Sequence, residues 1–347
     1  MENKNIWLTY SAEEKEELHK ICELYKSWLD KGKTERECVE LAVELAEKAG
    51  YHNLEEYLSE ERQIQKGEKI YAVCMKKCIV LFRMGAEPIS AGMNILGAHI
   101  DSPRIDIKQN PLYEKDDFTY LDTHYYGGIK KYQWVTQPLA LHGVVVKKDG
   151  SCVNISIGER EDEPVFVITD LLVHLASKQL EKKAGEVIEG EKLDILVGNC
   201  PIERDENLKE ERETVKANVL KILEEAYGIS EEDFASAELE IVPSGKARDI
   251  GFDRSMILAY GQDDRICAFT SIMAMLSVED SSRTACCLLV DKEEIGSVGA
   301  TGMHSRFFEN MVAELIALTE GESDIKVRRA LANSKMLSSD VSAAYDP

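Results

Sequence analysis

The sequence predicts an α/β protein in two pieces, separated by a β-rich insertion. Strand and helix patterns alternate before about residue 106 and again after about 245, as they do when helices layer a sheet. The intervening stretch is turn-rich instead. Four short acidic or histidine-bearing motifs also follow apolar runs, where the strands of an open α/β sheet deliver functional side chains. The expected division is 1–105 with 245–347 for the α/β part and 106–244 for the insertion.

Residues 11–50 read as two amphipathic helices. Ser11 with Glu14, and Thr34 with Glu37, have the S/T-x-x-E spacing that satisfies free N–H groups at a helix start. Leu18, Ile21, Cys22, Tyr25 and Leu29 recur at helical spacing, and Gly50 supplies a stop. Strand-like runs follow at Lys69–Met84 and Met93–Ile100, the second leading into His99-Ile-Asp101. Cys74 and Cys78, four apart in the first run, are read as packing residues on one strand face, since no second cysteine pair or nearby histidine completes a zinc site.

Inside the insertion, Asp149-Gly150 between two β-rich runs (Val144 to Val153) predicts a hairpin with a type I′ turn. Trp134 is expected to anchor the insertion's core. The charged stretch Glu203–Glu225 carries Val215, Val219, Leu220 and Ile222 among its charges, which predicts a solvated helix. After 245 the pattern gives a helix at Ile266–Leu276, a buried strand at Ala285–Val290 and a helix at Arg306–Thr319.

Composition narrows the function. The 347 residues carry a formal net charge of -22, so phosphate backbones and anionic membrane surfaces are poor partners. No stretch approaches the ~18 to 20 apolar residues of a membrane helix, and the N-terminal residues lack the apolar run of a signal peptide. The nine scattered cysteines suit reduced thiols in a cytoplasm.

The chemistry lies in Gly97-Ala-His-Ile-Asp-Ser-Pro103, Gly261-Gln-Asp-Asp-Arg265, Asp291-Lys-Glu-Glu-Ile-Gly-Ser297 and Ser338-Ser-Asp-Val341. Imidazole with carboxylates suits a borderline divalent metal, and a shared carboxylate holds a pair of ions. His99 and Asp101, two apart on a strand, share a face, so His99 ligates while Asp101 orients its other ring nitrogen. Glu293 and Glu294 are adjacent and expected to point apart, one to a metal and one free as general base. Singly, each motif has a plainer reading as a solvated acidic face or a structural His-x-Asp; their joint order is what points to a site.

That order resembles the aspartyl aminopeptidase family of dinuclear zinc metallo-aminopeptidases, over essentially the whole chain. Tyr126-Gly-Gly128, Trp134 with Pro138-Leu139, Ile168–Leu175, Glu293-Glu-Ile-Gly-Ser297 and Ser338-Ser-Asp340 extend the likeness. The resemblance implies His99 and Asp340 as ligands of one metal, Glu294 as ligand of the other and Asp263 as the bridge. It also implies Glu293 as general base and Asp101 as the supporting acid. His174 falls where the family uses a histidine to help stabilise the reacting carbonyl across a subunit contact; alone it reads as a buried histidine in an apolar segment.

The implied fold is a metallopeptidase domain, with a central mixed sheet layered by helices, interrupted by a β-rich dimerisation domain. The implied cofactors are two divalent ions, zinc or else cobalt or manganese. Implied partners are peptide substrates and copies of the same chain, dimers assembling into a dodecamer. Two departures stand out. Family members run further, and their last ligand, a histidine, lies beyond the point where this sequence ends, just after Asp340; a C-terminally truncated chain that holds one metal poorly is the expectation. Thr136-Gln137 also replaces an Asp-Arg that often follows the tryptophan. Alternative functions are another co-catalytic metallohydrolase, such as a deacylase or dipeptidase, and a non-catalytic assembly subunit. Gly296, Gly299 and Gly302 lack the Lys-Ser/Thr of a phosphate-binding loop and are read as close packing of helix on strand. Ser297 and Ser338 lie in no Gly-x-Ser-x-Gly elbow.

Overall fold

A computed structural model describes residues 5–202 and 213–342. It divides into two compact units, Met1–Ser102 with Lys246–Pro347, and Pro103–Gly245. The chain enters the first unit through α1 (Ala12–Lys31) and α2 (Glu35–Lys48). Both expected capping boxes form: Ser11 Oγ accepts from Glu14 N, Thr34 Oγ1 accepts from Glu37 N, and each glutamate returns the bond to its cap residue. Each N-cap side chain contributes about 1 kcal/mol. Then come β1 (His52–Asn53), α3 (Leu54–Ser59), β2 (Lys69–Cys74), β3 (Cys78–Arg83) and β4 (Asn94–His99).

The second unit holds β5 (Arg104–Lys115), β6 (Phe118–Tyr126), β7 (Leu139–Val146), β8 (Cys152–Ile157), the single turn α4 (Ser177–Leu180), β9 (Ile195–Gly198), α5 (Thr214–Tyr227) and β10 (Ala237–Pro243). Its strands form one antiparallel sheet in the order β8-β7-β10-β5-β6-β9. The expected helix over Glu203–Glu225 is present as α5; its residues 203–212 lie outside the described residues. Trp134 is buried, as expected. The β7–β8 connection differs from the expected type I′ turn. Gly150 N donates to Lys147 O and only Gly150 has a positive φ, so Lys148 and Asp149 make an ordinary turn that the left-handed glycine closes.

Back in the first unit are the hairpin β11 (Arg248–Ile250) and β12 (Met256–Leu258), then α6 (Gln262–Leu276), β13 (Ala285–Val290), α7 (Phe307–Glu320), α8 (Asp324–Asn333) and β14 (Lys335–Ser338). The central mixed sheet runs β1-β2-β3-β13-β4-β14. β4 lies between β13 and β14 and is parallel to both, and β3 lies antiparallel to β13. Strand alternation feeds two helix layers. Ile79, Leu81, Cys287 and Leu289 pack with Trp28, Val39, Phe269 and Ile272 of α1, α2 and α6. On the other face Val80, Phe82, Cys286 and Leu288 pack with Val312, Leu315 and Ile316 of α7. Each fully buried side chain of this size contributes roughly 1.5–3 kcal/mol.

The run Lys69–Met84 is a hairpin rather than one strand. Its turn, Met75 to Lys77, carries none of the usual turn residues, yet Met75 and Lys76 take left-handed φ values of 50° and 58°. Tertiary contacts fix it: Lys77 Nζ lies 2.8 Å from Glu35 Oε1, both buried, and Arg36 Nη1 donates to the Met75 carbonyl. Cys74 and Cys78 therefore sit opposite one another across two strands instead of sharing a face of one.

Candidate metal centre

Because β13, β4 and β14 run parallel, their carboxyl ends open along one sheet edge, where loops are free to turn functional groups together. His99 ends β4 and is buried. Asp340 follows β14 by two residues, and Glu293 and Glu294 form the short turn just after β13. In that turn both glutamates reach toward His99, so the expectation that they diverge does not hold. A strand would have sent them to opposite faces; a 3-10 turn does not.

Asp263 arrives by a different route. The apolar run before it, Met256–Tyr260, contributes β12 to the small hairpin with β11 and not to the central sheet. Asp263 and Asp264 stand instead in the first turn of α6, with non-helical backbone angles. Gly261, left-handed at φ 79°, starts that helix, and Ser102 Oγ donates to the Asp263 carbonyl at 2.6 Å.

His99 Nε2 is the focus of the result. It lies 3.2 Å from Asp263 Oδ1, 3.8 Å from Glu293 Oε2 and 3.8 Å from Asp340 Oδ1, yet makes no well-formed hydrogen bond among the described residues. Two groups of potential ligand atoms share this histidine: His99 with Asp263 and Asp340, and His99 with Glu293 and Glu294, each within 4.8 Å. On its other side Nδ1 lies 3.0 Å from the backbone carbonyl oxygen of Asp101 and 3.2 Å from its Oδ1. Asp101 has no exposed surface, and its two oxygens also accept the backbone N–H groups of Glu293 and Glu294 at 3.2 Å each.

Burial and, after it, neighbouring charge shift the titrating groups of the cluster. Burial, then the charge of Asp263, raises Glu294 to about 7. Burial raises Asp264 to about 6, against the pull of a contact with Cys267. Burial alone would lower His99, but the hydrogen bond and charge of Asp101, with Asp264 and Glu293, outweigh it and raise the imidazole to about 9. An imidazole raised by surrounding carboxylates against its own burial marks excess negative charge, which a cation would relieve. One imidazole and carboxylates facing one point fit a zinc-type ion.

The family model for aminopeptidase I zinc metalloproteases (M18) matches residues 28–347. The chain belongs to the M18 family. A probable M18 family aminopeptidase 1 of Clostridium acetobutylicum is 56% identical over 346 residues, covering 100% of this chain and 74% of the relative. The crystal structure of an M18 aminopeptidase from Thermotoga maritima superposes with a TM-score of 0.92 at 41% identity, covering 100% of this chain and 74% of that one. A yeast mApe1 dodecamer, 21% identical, shares the fold at a TM-score of 0.71 over 94% of this chain and 73% of its own.

This M18 protein is a metallo-aminopeptidase of the zinc hydrolase type. The match over the whole chain does not favour the deacylase, dipeptidase or non-catalytic readings, and it does not establish the truncation expected from the sequence. The mixed α/β fold expected from the sequence is that of the solved M18 relatives.

Six of the seven residues singled out in the sequence, His99, Asp101, Asp263, Glu293, Glu294 and Asp340, meet in the first unit. The seventh, His174, stands in the second unit on a 3-10 turn, Val173–Leu175. It is exposed, which corrects the reading of a buried histidine. Leu171, Leu172, Val173 and Leu175 around it are 54–68% exposed. Sequence reasoning assigned no role to Ser102, Asp264 or Arg265, although all three lie inside or beside the motifs. The three glycines do not pack helix on strand: a Cβ on Gly302 would lie 2.3 Å from the Ser297 carbonyl, within the loop itself.

Proposed function

We propose that the cluster binds two divalent cations and uses them to remove the N-terminal residue of peptides. In this reading His99 and Asp340 hold one ion, Glu294 holds the other, and Asp263 bridges them. Zinc is the natural occupant, and a carboxylate-rich set also accepts cobalt or manganese. The observation that carries the reading is His99 Nε2, buried and facing three carboxylate oxygens at 3.2–3.8 Å.

When bound, the ions polarise the scissile carbonyl and lower the pKa of water beside them. Glu293, half-exposed at the cluster's edge, is placed to take the water proton and pass it to the leaving amine. Asp101 fixes the ring of His99 through Nδ1, so that Nε2 presents its lone pair.

The unit Pro103–Gly245 serves, in this proposal, as the dimerisation domain, with dimers assembling to a dodecamer. The exposed apolar segment around His174 supports that role, since a row of large apolar side chains suits burial against another copy. His174 would then meet the reacting carbonyl across the subunit contact. The nine free cysteines support a cytoplasmic location.

Metal analysis tests the central claim. In titration with excess zinc the wild-type chain should bind two ions, the one held by Glu294 more weakly, and His99→Ala and Asp263→Asn should lose one or both. A wild-type chain saturating at a single ion would remove the dinuclear reading.

A further inference from the structure

Behind the cluster of His99 and its carboxylates lies a buried polar pair that the proposed chemistry does not use. Asp291 directly follows β13 with no exposed surface, and Thr301 is 3% exposed. Thr301 Oγ1 donates to Asp291 Oδ2 at 2.7 Å, the backbone N–H of Lys292 donates to Oδ1 at 2.7 Å, and Asp291 N donates to the Thr301 carbonyl at 3.3 Å. Those bonds close the base of the loop 292–300, which carries Glu293 and Glu294.

The loop needs such a closure. Lys292, Gly296, Ser297 and Gly299 all have positive φ, at 68°, 89°, 60° and 124°. The two glycines take such angles freely, but at Lys292 and Ser297 a left-handed backbone persists only where its surroundings over-determine it. Inside the loop Ser297 N donates to Lys292 O at 2.6 Å, and from beyond its end His304 N donates to Ser297 O. From the opposite side the Asp101 carboxylate holds the N–H groups of Glu293 and Glu294. The two glutamates are thus suspended between two buried carboxylates, and only Asp101 touches the histidine. A buried carboxylate carries a desolvation cost that an apolar residue at the same place would avoid. Its hydrogen bonds to the loop are what it supplies in return.

We infer that Asp291 and Thr301 are positioning residues, a clasp that sets the height of Glu293 and Glu294 over the metal cluster. The inference rests on the proposed roles of those two glutamates. It predicts that the Thr301 hydroxyl matters for turnover and metal retention although its bond goes to Asp291 and not to the proposed ligands.

The test compares Thr301→Val, which keeps the shape and removes the hydroxyl, with Thr301→Ser, which keeps the hydroxyl. On zinc-loaded protein with an aminoacyl arylamide substrate, Thr301→Val should lower kcat roughly ten- to a hundredfold with KM little changed, as expected for a small misplacement of reacting groups. Zinc should leave it more readily in competition with a chelator. Thr301→Ser should restore both properties. Wild-type kcat and zinc retention in Thr301→Val, or equal losses in both variants, would overturn the clasp. If Thr301→Val does not fold, Thr301→Ala is read by the same criteria. Glu293→Gln run in parallel separates the two layers of argument: retained turnover there overturns the underlying reading, whereas lost turnover beside a wild-type Thr301→Val overturns the clasp alone.

Discussion

Asp101 stands 3.2 Å from Nδ1 of His99 while its carboxylate also takes the N–H groups of Glu293 and Glu294. One buried acid therefore sets both the ring orientation of the histidine and the position of the turn after β13. Asp101→Asn keeps the size but weakens both contacts. It should cut zinc affinity and kcat about 10- to 100-fold, the range seen when a partner behind a metal ligand is lost. Chelator competition and steady-state kinetics on the same preparation check this; an unchanged affinity would mean that the backbone carbonyl of Asp101, 3.0 Å from Nδ1, orients the ring without the carboxylate.

Glu293 is proposed to move protons, not to hold metal. Glu293→Gln preserves shape and hydrogen-bonding capacity but removes the basic carboxylate. Turnover should be abolished while metal content measured by elemental analysis stays at the wild-type level. Loss of metal together with activity would instead make Glu293 a ligand, a role that its 3.8 Å approach to His99 Nε2 leaves geometrically open.

The metal-free protein should become less stable as pH rises. Burial and the charge of Asp263 raise Glu294 to about 7, and burial raises Asp264 to about 6. A folded carboxylate with a raised pKa binds a proton more tightly than in the unfolded chain, so its contribution is lost between the unfolded value near 4 and the folded value. His99 works in the same direction: its imidazolium is favoured by Asp101, a contribution complete below about 6.5 and lost as pH climbs through about 9. Bound cations replace the missing protons. The gain in unfolding temperature on adding zinc to chelator-treated protein should therefore be larger at pH 8 than at pH 5.5. Equal gains at both values would mean that these groups do not face the ions.

Local chemistry made much of this legible in the sequence. The two capping boxes, the strand Ala285–Val290 and the helix that begins near Phe307 follow from spacing within one segment. His99 was readable for a related reason, since an apolar run leads into it, whereas the exposed strand before Asp340, Lys335–Ser338, carries no such signal and only the family resemblance pointed to that residue. The source of Asp263 was not readable. An apolar run before an acidic motif looks the same whether it joins the central sheet or a separate hairpin, and only long-range pairing decides. The turn at Met75 and Lys76 was hidden for a similar reason. It is held by Glu35 and Arg36, some forty residues away in the chain, and not by turn-forming residues of its own.

Gly261 should tolerate no side chain, and its loss should be felt at the metal centre. Its φ is 79°, and a Cβ there would fall 2.1 Å from Nη1 and 2.8 Å from Cζ of Arg265. The end of an arginine would usually swing away from such a contact. This one cannot do so cheaply, because Arg265 is 1% exposed, donates through Nη2 to the Lys33 carbonyl at 2.8 Å and points Nε at the carbonyl of Ile100. Ile100 lies between His99 and Asp101, so the guanidinium ties the start of α6, which presents Asp263, to the strand end that presents the histidine. Gly261→Ala should therefore destabilise the protein by about 1–3 kcal/mol from the left-handed backbone alone, with any displacement of Arg265 adding to it. Chemical denaturation measures the first effect and zinc titration the second. An alanine variant that matches the wild type in both would show that Arg265 is not the link between the two halves of the site.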